Sequence, residues 1–225
     1  MADPVNRRRY RSALRADQAR ETRRRILAAA ESLFVVRGYA GTTVAAVAEA
    51  AGVAPDTVYT VLGGKRGLLD GVIAHESEDP DDPVQADQRR RRDELGALPD
   101  PVERLRGLVA LSCETLARTS PVHLVIRGAA DGHPFAAELR ARMLRRRLDI
   151  QRRHLATHLG GALRDGLGAE EAARRYSALL SPELYHLLTT ECGWTAAQYE
   201  GWVVDLLQHD LLGPRPTARA DPGPP

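Results

Sequence analysis

The chain has 225 residues, 43% of them hydrophobic and 28% charged, with a formal net charge of +2. That mixture excludes a disordered or fibrous protein, and the dominance of Leu, Ala and Arg over aromatic residues favours helix. No apolar run is long enough to cross a bilayer, the N-terminus is too basic for a signal peptide, and two cysteines (Cys113 and Cys192) imply no disulfide framework, so a cytoplasmic protein is expected.

Charge is unevenly placed. Residues 1–25 hold nine Arg against Asp3, Asp17 and Glu21, and residues 75–100 hold nine acids against Arg89, Arg90, Arg91 and Arg92. Residues 1–14, with Arg7, Arg8, Arg9 and Arg11, are expected to form a flexible basic arm, suited equally to a polyanion or to solvent.

Helical periodicity begins near Asp17 and runs to Arg37. Ile26, Ala30, Leu33 and Phe34 make one stripe, and Gly38 stops it. Thr42 offers the hydroxyl of an N-cap to a second helix with Val44, Val47, Ala48 and Ala51, closed by Gly52. Its Val44, Val47 and Ala48 face is expected to pack on the first helix, with Ala45, Ala46 and Ala50 permitting close approach. A third short helix starts near Pro55, a favoured first-turn residue, carries Val58, Tyr59 and Leu62, and ends at Gly63-Gly64. A fourth begins at Lys65 with Leu68, Leu69, Val72 and Ile73. Residues 76–100, interrupted by Pro80, Pro83 and Pro99, read as a long loop or frayed connection. Further helices are expected at Val102 to Arg118, Pro121 to Ala130, Pro134 to Leu159, Ala169 to Glu191 and Thr195 to Leu212, with a disordered proline-rich tail over 213–225. The fold class is therefore all-α: a three-helix N-terminal domain over 15–75 and a larger helical bundle over 76–212.

The two short helices meeting at Gly52-Val53 have the spacing of a DNA-binding helix-turn-helix, in which the second of the pair presents its first turns to the major groove. The stretch Phe34-x-x-x-Gly38-Tyr39-x-x-Thr42-Thr43-Val44-x-x-Val47-Ala48-x-x-Ala51-Gly52-Val53-x-x-x-Thr57-Val58-Tyr59, followed by Lys65-x-x-Leu68-Leu69, resembles the signature of the TetR (tetracycline-repressor) family across residues 20–75. The resemblance implies phosphate contacts from Thr43, Tyr59 and Lys65. Base reading falls to the exposed early face of the third helix: Pro55, Asp56, Thr57 and Thr60. Asp56 equally suits the helix dipole as a first-turn acid. The arm, through Arg7, Arg8, Arg9 and Arg11, is expected to add minor-groove or phosphate contacts. Ala54, Thr60, Leu62 and Gly64 depart from the residues common in the family, and Ala54 supplies no helix cap.

The resemblance also implies a homodimer on a palindromic operator, paired through the last two long helices, with Leu179, Leu180, Leu184, Leu187, Leu188, Val203, Leu206 and Leu207 as interface residues. It places a small-molecule effector among the middle helices, with Leu105, Leu108, Val109, Leu116, Val125, Ile126, Phe135, Leu139 and Met143 as lining candidates or simply core. No catalytic motif is present, so no enzyme is expected. Cys113 reads as a small buried hydrophobe, Trp194 and Trp202 as packing anchors, and His123 and His133 as core or surface groups. His154 and His158, four apart, share a helical face but lack a third ligand, so a polar face is preferred to a metal site and neither metal nor cofactor is expected. The function expected is a repressor released by an effector; the alternatives are a DNA-binding activator or architectural protein without one, and a helical enzyme or carrier that has lost DNA binding.

Overall fold

A computed structural model describes residues 4–78 and 82–212 of the chain. Every regular element among them is a helix. In chain order these are α1 (Pro4–Gly41), α2 (Val44–Ala51), α3 (Pro55–Leu62), α4 (Lys65–Glu78), α5 (Pro83–Leu95), α6 (Pro101–Ala130), α7 (Pro134–Leu159), α8 (Ala169–Leu179), α9 (Pro182–His186) and α10 (Ala196–Leu207). A short 3-10 turn follows α7 at Gly160–Ala162, and wider π turns follow α9 and α10 at Leu187–Glu191 and Gln208–Leu212.

Two compact units emerge. The first takes α1 to α4 together with Val125–Arg140, the end of α6 and the start of α7; the second takes α5, α6 as far as Leu124, α7 from Ala141, and α8 to α10. The first unit thus joins the segment before residue 79 to a stretch that begins at Val125. Tyr39 gives the reason: its ring stacks on Phe34 at 5.7 Å and meets His133 and Phe135, each at 5.2 Å.

Several expected boundaries shift. Residues 4–14 belong to α1 rather than to a loose arm, and α1 continues to Gly41 with a break at Gly38. The side chains of Arg7, Arg8, Arg9 and Arg11 lie outside the described residues, as does the tail from 213. The expected loop at 76–100 contains α5, started by Asp82, whose carboxylate accepts from the Val84 amide at 2.9 Å, with Pro83 in the first turn. The two helices expected on either side of Ser120 are one, because Pro121 sits inside α6.

The helix expected over Ala169 to Glu191 is interrupted after Leu179, since Pro182 cannot continue it, and α9 restarts on Ser181, whose hydroxyl accepts from the Leu184 amide at 3.2 Å. Stopping a helix inside a core strands its last carbonyls. Here other elements supply the donors. Arg147 of α7 donates to the Ser177 oxygen at 3.0 Å and also to Leu180, and the Tyr199 hydroxyl of α10 donates to Leu179. Two helices thus satisfy the end of a third. Tyr176 is buried in the same core, bonded at 2.9 Å to both the Leu108 carbonyl and the Ser112 hydroxyl. Burial pushes the Tyr176 and Tyr199 phenols up, the Cys113 thiol to about 12, and the His123 imidazole, which also faces Arg147, down to about 4.

In the first unit, α4 crosses the end of α3 at Gly67, where a Cβ would overlap the Leu62 carbonyl oxygen. Gly67→Ala is expected to destabilise the chain by about 1–3 kcal/mol through overpacking. Gly128→Ala, at a helical site with nothing within 4 Å of the new carbon, should be neutral or stabilising by up to about 1 kcal/mol. Thermal unfolding of both variants checks the pair; equal melting temperatures would refute the crossing.

Candidate nucleic-acid interface

The reading head is built from a threonine pair, a glycine turn and one arginine. Thr42 is fully buried, and its hydroxyl lies 3.1 Å from the Leu33 carbonyl oxygen and 2.9 Å from that of Gly38, holding the broken end of α1. Thr43 is the N-cap of α2, accepting from the Ala46 amide at 3.1 Å. The cap expected at Thr42 thus belongs to its neighbour, and the two hydroxyls divide the work of ending one helix and starting the next. Val47, Ala48 and Ala51 are buried and Ala46 is half-buried, while Ala45 and Ala50 are exposed.

Gly52 ends α2 in the left-handed region, at φ 64°, a conformation costly for residues with a Cβ. Arg25 of α1 closes the turn. Its guanidinium donates to the Ala51 carbonyl and lies 3.4 Å from that of Gly52, and a Cβ on Gly52 would come within 2.9 Å of it. A second arginine of α1, Arg23, donates to the Val61 carbonyl at 3.3 Å near the end of α3. Both α2 and α3 are therefore fixed by cations from α1. Periodicity gives no sign of these two roles, because Arg23 and Arg25 read as members of a basic run.

α3 starts at Pro55 without a side-chain cap from Ala54. Val58 is buried and anchors the inner face. Pro55, Asp56, Tyr59 and Thr60 are exposed, and Thr57 is half-buried. The Thr60 hydroxyl already donates to the Asp56 carbonyl at 2.8 Å. The Tyr59 ring, 55% exposed, rests against Gly64 with its hydroxyl unclaimed by any described residue. α3 carries no basic residue, so any attraction for phosphate must come from its neighbours.

Lys65 is one such neighbour, held rather than loose. Its ammonium donates to the Ala40 carbonyl at 3.1 Å and lies 4.4 Å from the centre of the Tyr39 ring, and burial draws its pKa below the usual lysine range. Two of its three N–H groups remain for an anion. Arg66 places its guanidinium 5.4 Å from the Phe135 ring centre. Thr43, Tyr59 and Lys65 thus come from the helix-two cap, the outer face of α3 and the start of α4.

The residues expected to line an effector pocket divide between the units. Leu105, Leu108, Val109 and Leu116 are buried in the second unit's core, and Met143 belongs to that unit. Val125, Ile126, Phe135 and Leu139 belong to the first, where Phe135 meets Tyr39. Of the residues expected at a dimer interface, Leu180, Val203 and Leu207 are buried inside the second unit. Leu179, Leu184 and Leu188 are half-buried, and Leu187 and Leu206 are 43% and 40% exposed. Trp194 and Trp202 pack edge to face at 5.7 Å, against the same core.

Residues 26–72 match the model of the bacterial regulatory proteins of the tetR family. The HTH-type transcriptional regulator BetI of Paraburkholderia xenovorans is 38% identical over 104 residues, 46% of this chain and 50% of BetI; the chain thus matches half the length of this curated relative. Among solved structures, a protein from Saccharomonospora viridis in complex with choline is 26% identical with a TM-score of 0.65, covering 85% of this chain and 98% of its own. NalD of Pseudomonas aeruginosa, the secondary repressor of the MexAB-OprM multidrug efflux pump, shares the fold at 20% identity and a TM-score of 0.62, over 86% of this chain and 98% of NalD.

Removing the Arg25 clamp tests how the turn is held. Arg25→Met keeps the stem but leaves the Ala51 carbonyl without its donor. Loss of a charged hydrogen bond of about 1.5–3 kcal/mol predicts at least tenfold faster amide exchange at Gly52, Val53 and Thr57, with exchange in α8 and α10 unchanged. Unaltered protection at the turn would show that Arg25 is not the clamp.

Proposed function

We propose that this chain, whose residues 26–72 belong to the tetR family of bacterial regulatory proteins, is a sequence-specific DNA-binding repressor released by a small molecule. The observation that carries the reading is the exposed outer face of α3, projecting from a turn clamped by Arg25. A rigid short helix with an inner anchor at Val58 can enter a major groove without rearranging. Thr43, Tyr59 and Lys65 contact phosphate and set register, while Pro55, Asp56, Thr57 and Thr60 face base edges. Asp56 and Thr57 carry most of the choice of sequence: the Asp56 carboxylate accepts from a cytosine amine, and Thr57 offers a hydroxyl or a methyl. The Thr60 hydroxyl is engaged within α3 and contributes its methyl.

Reading a palindrome requires two copies. The proposed homodimer surface is the outer side of α8 to α10, where Leu187 and Leu206 stay exposed beside the half-buried Leu179, Leu184 and Leu188. The domain roles follow: residues 15–75 read DNA, residues 76–212 dimerise and bind the effector, and the arginines of residues 1–14 add phosphate contacts. The choline complex of the Saccharomonospora viridis relative supports a fold that accommodates small molecules, and the repressor role of NalD supports the direction of control. The protein acts as a regulator and not as an enzyme, in the cytoplasm where its operator lies; no helix among the described residues is long and apolar enough to cross a membrane.

Selection of bound fragments from the source genome, followed by fluorescence anisotropy on the enriched duplex, tests the reading. A palindromic site should emerge whose affinity falls steeply with salt, as phosphate contacts release counterions. Tyr59→Ala should weaken binding about tenfold at every sequence, as loss of one phosphate contact worth roughly 1.4 kcal/mol. Asp56→Asn should instead alter the preferred bases. A dimer that binds no duplex above random sequence at low ionic strength overturns the proposal.

A further inference from the structure

The second unit concentrates positive charge where the described residues offer little to balance it. Arg92 near the end of α5, Arg104 in the first turns of α6, and His154 and His158 in the last turns of α7 come together. His158 is 6% exposed, and its Nδ1 has no hydrogen-bond partner. The Nε of Arg104 is likewise buried and unpartnered. Arg92, Arg104 and His154 are half-buried, so the cluster remains open to solvent on one side. Groups facing it are Asp93, Tyr176, Arg89 and Arg153. Asp93 is the single carboxylate among them and is itself exposed, and neither Arg92 nor Arg104 forms an ion pair with any described residue.

Buried donors are normally satisfied, and buried cations are normally paired. Elsewhere in this unit half-buried arginines are paired with acids, Arg91 with Glu114, Arg118 with Asp82 at 3.3 Å and Arg175 with Asp210 at 2.7 Å, although the Nε atoms of Arg91 and Arg118 and the Ser120 hydroxyl are also buried without a hydrogen-bond partner. Arg92 and Arg104 differ in having no paired carboxylate among the described residues, and with the two histidines they bring together residues of three helices. Two histidines one turn apart, held beside two guanidinium groups, suit a negative ligand and not a metal, since cations repel a cation; no group of three or more metal-ligating side chains occurs among the described residues.

We infer that Arg92, Arg104, His154 and His158 form a binding site for an oxyanion, the carboxylate or phosphate group of a small molecule. The guanidinium groups supply fixed charge and paired N–H donors, and the buried imidazole of His158 supplies the inner donor at Nδ1 once protonated. Without the anion, burial and the neighbouring arginines keep both imidazoles neutral: the His154 pKa is pushed down to about 4, and that of His158 is lowered too. An anion reverses the electrostatic balance, so binding takes up protons and strengthens as pH falls towards the histidine range. The inference rests on the effector reading only in calling this ligand the effector; the site itself is independent of DNA.

Histidine titration by NMR, on the full chain without DNA, tests it. In chloride the His154 and His158 midpoints should lie below the ordinary value of about 6.5. Millimolar phosphate or acetate at matched ionic strength should raise both by about one pH unit or more, a tenfold gain in proton affinity. A phosphate-only response identifies a phosphate-bearing ligand, and a response to acetate a carboxylate. Arg92→Gln and Arg104→Gln should abolish the shift while His75 and His209 titrate as before, and Arg104→Lys should restore part of it. Midpoints identical in chloride, phosphate and acetate overturn the inference, as does an undiminished shift in the folded double variant. Failure of operator binding by the same protein would sink the proposed function and leave the anion site standing.

Discussion

The turn between α2 and α3 has space for one guanidinium group and none for a side chain of its own. Gly52 provides the left-handed backbone, and Arg25 fills the volume where a Cβ would project while donating to the Ala51 carbonyl. The angle between the two helices is thereby set from a third. Because Arg23 also reaches the Val61 carbonyl near the far end of α3, α1 grips the pair at two points. Neither bond need be strong: a hydrogen bond to a charged donor contributes roughly 1.5–3 kcal/mol. Their value lies in removing freedom from a short helix that has little core contact beyond Val58.

Local chemistry made much of this legible. The limits of α7 at Pro134 and Leu159, the start of α4 at Lys65 and the glycine ends of α2 and α3 all follow from caps and periodicity. The Thr195 start of the final helix is equally local: its hydroxyl and the Gln198 side chain form a reciprocal capping box. Where proline decided the outcome, sequence spoke less clearly. Pro83 and Pro182 sit in first turns and begin helices, whereas Pro121 lies inside α6 without ending it. The residue type is the same, and tertiary packing selects among its roles. The exchange of duty between Thr42 and Thr43 is a one-residue matter that periodicity could not resolve.

What stayed hidden involves partners distant in sequence. Tyr39 and Phe135 are almost a hundred positions apart; Tyr39 reads as a signature residue beyond the Gly38 stop and Phe135 as a pocket or core candidate, and neither reading pairs them. Arg147 reads as one of a run of arginines, yet it donates to the carbonyls left by the interruption after α8. Leu180, Val203 and Leu207 have the spacing of an interface stripe but lie in the core of one chain, since a periodic apolar face does not say what covers it. Sequence therefore located the reading head more sharply than the residues that support it, because the head is local and its support is not.

Arginine is abundant throughout the chain, and its surroundings distinguish its uses. Arg20 with Asp17, Arg24 with Glu21, Arg90 with Asp87 and Glu94, and Arg152 with Asp149 are exposed pairs one turn apart. Such pairs contribute roughly 0–1 kcal/mol each and chiefly keep a helix face soluble. Arg25 and Arg147 instead spend their donors on backbone carbonyls, where the gain is geometric. Arg92 and Arg104 have neither a paired acid nor a carbonyl, and they stand beside two imidazoles that burial keeps uncharged. Like charges held side by side without a paired acid repel one another. The first two uses satisfy an arginine within the folded chain, whereas the third leaves donors on a half-buried cluster for a ligand of opposite charge.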